Sequence, residues 1–467
     1  MLRVIRGVAI RAGIVAAVLI LTAPQVVFAD TVTSTIPVGT GPYAEVLNAD
    51  NSRLYVGSAI GADTGSVSVV DTSTNAMLTK FYTGSSRVMD MALSSDGARL
   101  YTGHFNGQLK IISTATNTVS LSVATGSSVY GLALSPDGSR IYASDFAANV
   151  IRVLNATNLS PITTITGGTH PRLITIAPTG NRAYVAIQGS TLTSQGNVKV
   201  IDTVSNTVLA TIPTGLGTGA VTLSPDGKSI YASNYGSNDV TVIDTATNTV
   251  SATIPVGTQP YQIAFTPDGS RAYVANMLDN TVSIINVAAR TVAATIAVGP
   301  QPAPVRISSD GQIAYVGNEN SNTVSVISLD TFPAIVTTAL ANGGVGSGYM
   351  GSIATSGRPQ PTTTVTSGTL PPGLTLNSDG SITGTPLEAG TFTFTVTAAS
   401  IVSGIPATAQ KSFTLTIAPS PTVNGQGSDT LPKTGDDISP FMRLAIVSLF
   451  LGGSLFLMCR TLVRFSH

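Results

Sequence analysis

The sequence predicts an all-β protein, a seven-bladed β-propeller followed by a small antiparallel β-sandwich. Three observations carry this reading. A Tyr-bearing unit recurs at Tyr55, Tyr101, Tyr142, Tyr184, Tyr231, Tyr273 and Tyr315, with spacings of 46, 41, 42, 47, 42 and 42 residues. A period in the low forties built from short strands fits one four-stranded sheet per repeat. After about residue 339 the repeat stops and Thr, Pro and Gly dominate, still in alternating runs.

Each repeat parses into four strands. In the sixth, PYQIAFT is followed by the Asp268-Gly269 turn, then RAYVAN, TVSIINV and TVAATIAV. Alternation of apolar and small polar residues suits strands packed between neighbouring blades. Asp-Gly pairs at 96, 137, 226, 268 and 310 supply the positive φ that a hairpin needs, and Asp50-Asn51 and Thr179-Gly180 stand in for them elsewhere. These aspartates read as turn residues, not metal ligands. Seven strand triplets face eight fourth-strand candidates, from TVTSTIPV (31–38) to FPAIVTT (332–338). The surplus suggests that the N-terminal strand completes the last blade and removes two exposed edges, with FPAIVTT as the exit strand; the sequence leaves the opposite assignment open. The propeller is assigned residues 30–338.

The phrases YASN (231–234), YVAN (273–276) and YVGN (315–318) and the TIPVG runs at 35–39 and 253–257 resemble YVTN-type propeller repeats of bacterial and archaeal surface proteins. That resemblance covers about two-thirds of the chain. It implies seven blades, a cell-surface setting and rarely a defined activity.

Residues 365–398 and 411–417 alternate strongly between turns, which predicts a β-sandwich over 339–418. Their LPPGLTL and GTPLEAGTFTFTVTA phrases resemble Ig- or cadherin-like modules of bacterial surface proteins, here read as a spacer. Ser378-Asp379-Gly380 reads as a turn. Residues 419–430 form a polar linker.

Composition narrows the function. Only 10% of the 467 residues are charged and the formal net charge is zero. Between Asp30 and Thr434 there are 17 basic and 21 acidic residues with no basic run, which gives no electrostatic case for nucleic acid. Cys459 is the only cysteine, so no intrachain disulfide forms.

Both ends carry targeting chemistry. Arg3, Arg6 and Arg11, the apolar run 13–22 and Val27-Phe28-Ala29 read as a signal peptide over 1–29, cut between Ala29 and Asp30. At the other end stand Leu431, Pro432, Lys433, Thr434 and Gly435, then an apolar stretch from Leu444 to Cys459 and a tail with Arg460 and Arg464. Sixteen apolar residues rise about 24 Å as a helix, close to a bilayer core. This order over 431–467 resembles the LPXTG sorting signal of Gram-positive bacteria. It implies that a sortase cuts between Thr434 and Gly435 and joins Thr434 to peptidoglycan, so that the membrane is met only before sorting.

Loops between second and third strands share a propeller face with loops joining the blades. They are long only at 58–66 and 188–197. Variable loops on a rigid scaffold are the usual place for binding. His104, Phe105, Asp145, His170, Arg172, Asn234, Asn276 and Asn318 map to this face as ligand candidates. A ring of Asn, Asp and His there could hold a divalent cation. The stronger expectation is that these side chains cap turns, so no metal, cofactor or catalytic residue is assigned. The reading that follows is a secreted, wall-anchored platform for a protein or glycan. Its alternatives are a metal-dependent lactonase-like or lyase-like enzyme and a structural surface-layer subunit.

Overall fold

In the computed structural model, residues 30–402 and 405–420 are described. The signal peptide, most of the linker, the sorting motif and the 444–459 stretch lie outside them. Seven four-stranded antiparallel sheets form the propeller. Their innermost strands are Pro42–Leu47, Val88–Leu93, Val129–Leu134, Pro171–Ile176, Thr218–Leu223, Pro260–Phe265 and Pro302–Ile307, numbered here as blades 1 to 7. Each innermost strand contacts the next, and blade 7 contacts blade 1, so the ring is closed.

Closure uses the N-terminal strand. Thr31–Pro37 pairs antiparallel with Thr323–Ser328 as the outermost strand of blade 7. The chain then leaves the propeller earlier than the boundary at 338. Thr331–Ile335 pairs with Thr355–Arg358, among the strands of the following domain. The backbone register, which the alternating pattern of FPAIVTT could not distinguish from an outermost propeller strand, decides this.

The recurring Tyr is an interblade staple. All seven are buried, at 0 to 6% exposed. The Tyr101 hydroxyl donates to the Ala156 carbonyl at 2.9 Å, one blade along. The turns behave as their residues dictate: the second turn residue is left-handed in all seven blades, Asn51 at φ 59° and Gly97, Gly138, Gly180, Gly227, Gly269 and Gly311 at 69–74°. Asp137 accepts from Ser135 and Ser139, which holds its carboxyl down at about 2.

The second domain is a β-sandwich. One sheet runs Gly343–Gly344, Ile405–Ala418, Gly390–Val402, Thr362–Gly368, and another Tyr349–Ser352, Ser381–Gly384, Leu374–Leu376. Between them pack Tyr349, Ile353, Leu374, Ile382, Phe394, Val396, Phe413, Leu415 and Ile417. Asp379 accepts from the Ser381 backbone and hydroxyl, and Gly380 is left-handed at φ 89°, as a turn requires. No helix among the described residues is long and apolar enough to cross a membrane.

Candidate functional site

The innermost strands surround a central channel whose two ends differ. Toward the Asp-Gly turns lies a cavity of about 420 Å³ that reaches Pro225 and is lined by Asp90, Thr175, Thr222, Gln262, Arg306 and apolar side chains. Asp90 accepts from the Met91 and Leu132 backbones at 2.9 and 2.8 Å, yet burial pushes its carboxyl up to about 6. Arg306 donates to the Gln262 side-chain oxygen at 2.6 Å. Glu45, fully buried and within the field of Arg306, is pushed by burial to about 8, and neither of its oxygens has a hydrogen-bond partner.

The opposite end is occupied by the second residues of four innermost strands, which meet across the axis. The Tyr43 and Tyr130 hydroxyls are 3.4 Å apart, and the Tyr43 and Tyr261 rings are 5.4 Å apart. The Arg172 guanidinium sits 4.8 Å from the Tyr130 ring and 5.7 Å from that of Phe146, a cation–π arrangement. Arg172 is 9% exposed, and its Nε donates to the Gln188 side-chain oxygen at 2.5 Å. No carboxylate pairs with it among the described residues. Burial raises the phenol pKa of Tyr43, Tyr235 and Tyr261, so these remain neutral donors.

From this centre an aromatic strip runs outward over blades 2 to 4. Phe105 meets Tyr130 edge-on at 6.4 Å, Tyr130 lies 4.9 Å from Phe146, and Phe146 stacks on His170 at 4.3 Å and 7°. Arg87 lies 5.6 Å from the Phe105 ring. His170 occupies a left-handed position, φ 56°, that Gly41, Gly217, Gln259 and Gln301 fill before other innermost strands. Its backbone donates to Asn149 and its Nδ1 to the Gly189 carbonyl, which fixes the ring. The long 188–197 loop leans toward blade 5: Gly217 and Gly236 both pack against the Leu192 carbonyl with no room for a Cβ.

The structure therefore gathers Phe105, His170 and Arg172 at one mouth. It places His104, Asp145, Asn234, Asn276 and Asn318 differently, each at the end of a second strand and fully buried. His104 Nδ1 donates to the Ser86 carbonyl and its Nε2 meets the Thr102 hydroxyl, with burial lowering its pKa to about 4. Asp145 accepts from the Ser127 and Ser128 backbones and pairs with Arg152 at 2.8 Å. Asn276 and Asn318 donate to Ser283 and Ser325 of the adjoining strand, and Asn234 to Thr241. These groups brace their own blades. Among the described residues no three His, Cys, Asp or Glu side chains are grouped closely enough to hold a metal ion together.

Sequence reasoning missed Tyr43, Tyr130, Phe146, Tyr235 and Tyr261. A signal was present: Pro42-Tyr43, Val129-Tyr130, Pro171-Arg172 and Pro260-Tyr261 open equivalent strands.

The family model described as "Lactonase, 7-bladed beta-propeller" matches residues 30–305 and 255–347, and that described as "Putative Ig domain" matches 332–418. No curated protein matches the chain. Among solved structures, hydrazine synthase of Kuenenia stuttgartiensis is similar at 22% identity and a TM-score of 0.57, over 62% of this chain and 95% of that one. That likeness shows the fold alone. With its closed ring of seven sheets and a family match over more than half its length, the chain belongs to the lactonase-type seven-bladed β-propeller family and carries an Ig-like domain after the propeller.

Proposed function

We propose that this chain is a cell-wall-anchored bacterial surface protein whose propeller recognises a glycan or protein at its uneven mouth. The observation that carries the reading is the strip Phe105–Tyr130–Phe146–His170 ending on Arg172, built on loops that differ between blades over a scaffold that does not. Rigid aromatic rings with a few fixed polar groups are what recognition surfaces use. The anchoring half rests on sequence: export with cleavage after Ala29, and sortase transfer of Thr434 to peptidoglycan through Leu431–Gly435. The expected test replaces loops 58–66 and 188–197 with the short turns of other blades. Cells displaying that variant lose surface binding while Thr434→Ala releases the protein from the wall. Unchanged binding and unchanged retention would remove the two halves separately.

Family membership favours a second reading, the lactonase-like enzyme. Its supporting observation is Asp90, poised near pH 6 beside Arg306 and Gln262 in the 420 Å³ cavity. Lactone turnover that disappears in Asp90→Asn would favour it.

A further inference from the structure

We infer that the uneven mouth binds a carboxylate-bearing sugar, with the carboxylate on Arg172 and Tyr261 and the pyranose ring against the Phe105–Tyr130–Phe146–His170 strip. The inference rests on the recognition reading above and names its ligand class.

A cation without a carboxylate partner and an unsatisfied phenol hydroxyl lie near each other at the inner end of the strip. Arg172 is a cation, nine-tenths buried, that meets aromatic rings and one amide oxygen and has no carboxylate partner among the described residues. Tyr261, 1% exposed, has a buried hydroxyl that makes no hydrogen bond of good geometry, its neighbour Tyr43 included, and it lies within the electrostatic field of Arg172. Buried polar groups are normally satisfied, so such a pair points to a ligand that supplies acceptors. Guanidinium geometry matches a carboxylate with two parallel N–H···O bonds. Glu319 is half-buried, lies within the fields of Tyr235 and Arg87, and makes no ion pair with Arg172.

The strip favours a sugar over a peptide terminus. Its rings come from four separate loops and strands and form one continuous apolar run, with Phe105 44% exposed at the outer end. Such a run matches the C–H face of a hexose.

The test titrates the full chain with tetragalacturonate and with its fully methyl-esterified form, which lacks the charge and carries a methyl group on each carboxyl. The acid binds at least tenfold tighter than the ester, and raising the salt narrows the gap. Arg172→Met removes the preference, Arg172→Lys restores part of it, and Tyr261→Phe weakens the acid about threefold with the folded state unchanged by circular dichroism. Equal binding of acid and ester overturns the inference, as does a preference that survives in Arg172→Met. Tighter binding of a short peptide with a free C-terminal carboxylate overturns it too. Neutral glycans bound at this mouth and lost in Phe105→Ala would sink the acidic ligand while keeping the recognition reading. An absence of any binding at the mouth would sink both.

Discussion

Asp30 takes both carboxylate oxygens to the Arg271 guanidinium, with Nη1 3.2 and 3.1 Å from them, across 241 residues of sequence. The Tyr273 hydroxyl donates to the same carboxylate at 2.5 Å and the Asp330 backbone at 2.6 Å, while Arg271 also reaches the Asp330 carbonyl. Asp30 immediately precedes the strand that completes blade 7, and Asp330 follows that blade's last internal strand. One buried carboxylate thus ties the entry and exit of the ring to blade 6.

Breaking that clasp is expensive because it strands a buried charge. Asp30→Ala is expected to lower the unfolding free energy by about 3–5 kcal/mol. Arg271→Met costs a similar amount, and the double variant costs less than the sum, since the two losses share one interaction. Urea unfolding of the three variants measures this, and additive costs would show that the pair is not coupled.

The interblade staple has a smaller value. Tyr101→Phe removes the donor to the Ala156 carbonyl while keeping the ring, so a loss of about 1–2 kcal/mol is expected. A loss below about 0.5 kcal/mol would mean that the hydroxyl contributes little beyond its ring.

Glu45 gives stability a pH dependence of definite sign. Between its ordinary value of 4.5 and its folded value of about 8, the folded carboxyl keeps a proton that the unfolded chain has released. Its contribution is fully present below 4.5 and falls as pH rises, by up to about 1.4 kcal/mol per unit. Glu45→Gln should flatten that decline, leaving the variant more stable than the parent at pH 8. Parallel curves for parent and variant would contradict it.

His104 acts in the opposite sense. Its folded value of about 4 lies below the ordinary 6.5, so the unfolded chain binds a proton that the folded state refuses. Stability is lost as pH falls from 6.5 toward 4. His104→Asn installs the residue that Asn234, Asn276 and Asn318 already place at this position. The variant is expected to lose less stability between pH 7 and 4.5 than the parent does.

Much of the fold was legible because its signals are local. Each Asp-Gly pair or its stand-in fixes a turn within two residues and each recurring Tyr marks a second strand, so the sevenfold recurrence of the unit specified the blades. The surplus outer strand indicated that one chain end closes the ring, but the choice between the N-terminal strand and FPAIVTT came only from the backbone pairing. The site was legible only in part. Phe105, His170 and Arg172 were found because the long loops at 58–66 and 188–197 singled out a face and residue type then set these three apart on it. Tyr43, Tyr130 and Tyr261 sit in blades 1, 3 and 6 and meet only across the axis, a relation that no single repeat contains. His104, Asp145 and the three asparagines look alike in sequence, yet their strand-end positions turn them into their own sheets, where turn and strand groups satisfy them.

The most direct measurement compares the two propeller faces in one glycan- and protein-binding array. One variant carries Phe105→Ala and Phe146→Ala at the uneven mouth, and the other carries Thr116→Ala and Thr247→Ala in the uniform turns. Recognition at the mouth predicts that the first loses the parent's binding signals and the second keeps them. Signals that vanish with the turn variant, or persist undiminished in the mouth variant, would contradict the account.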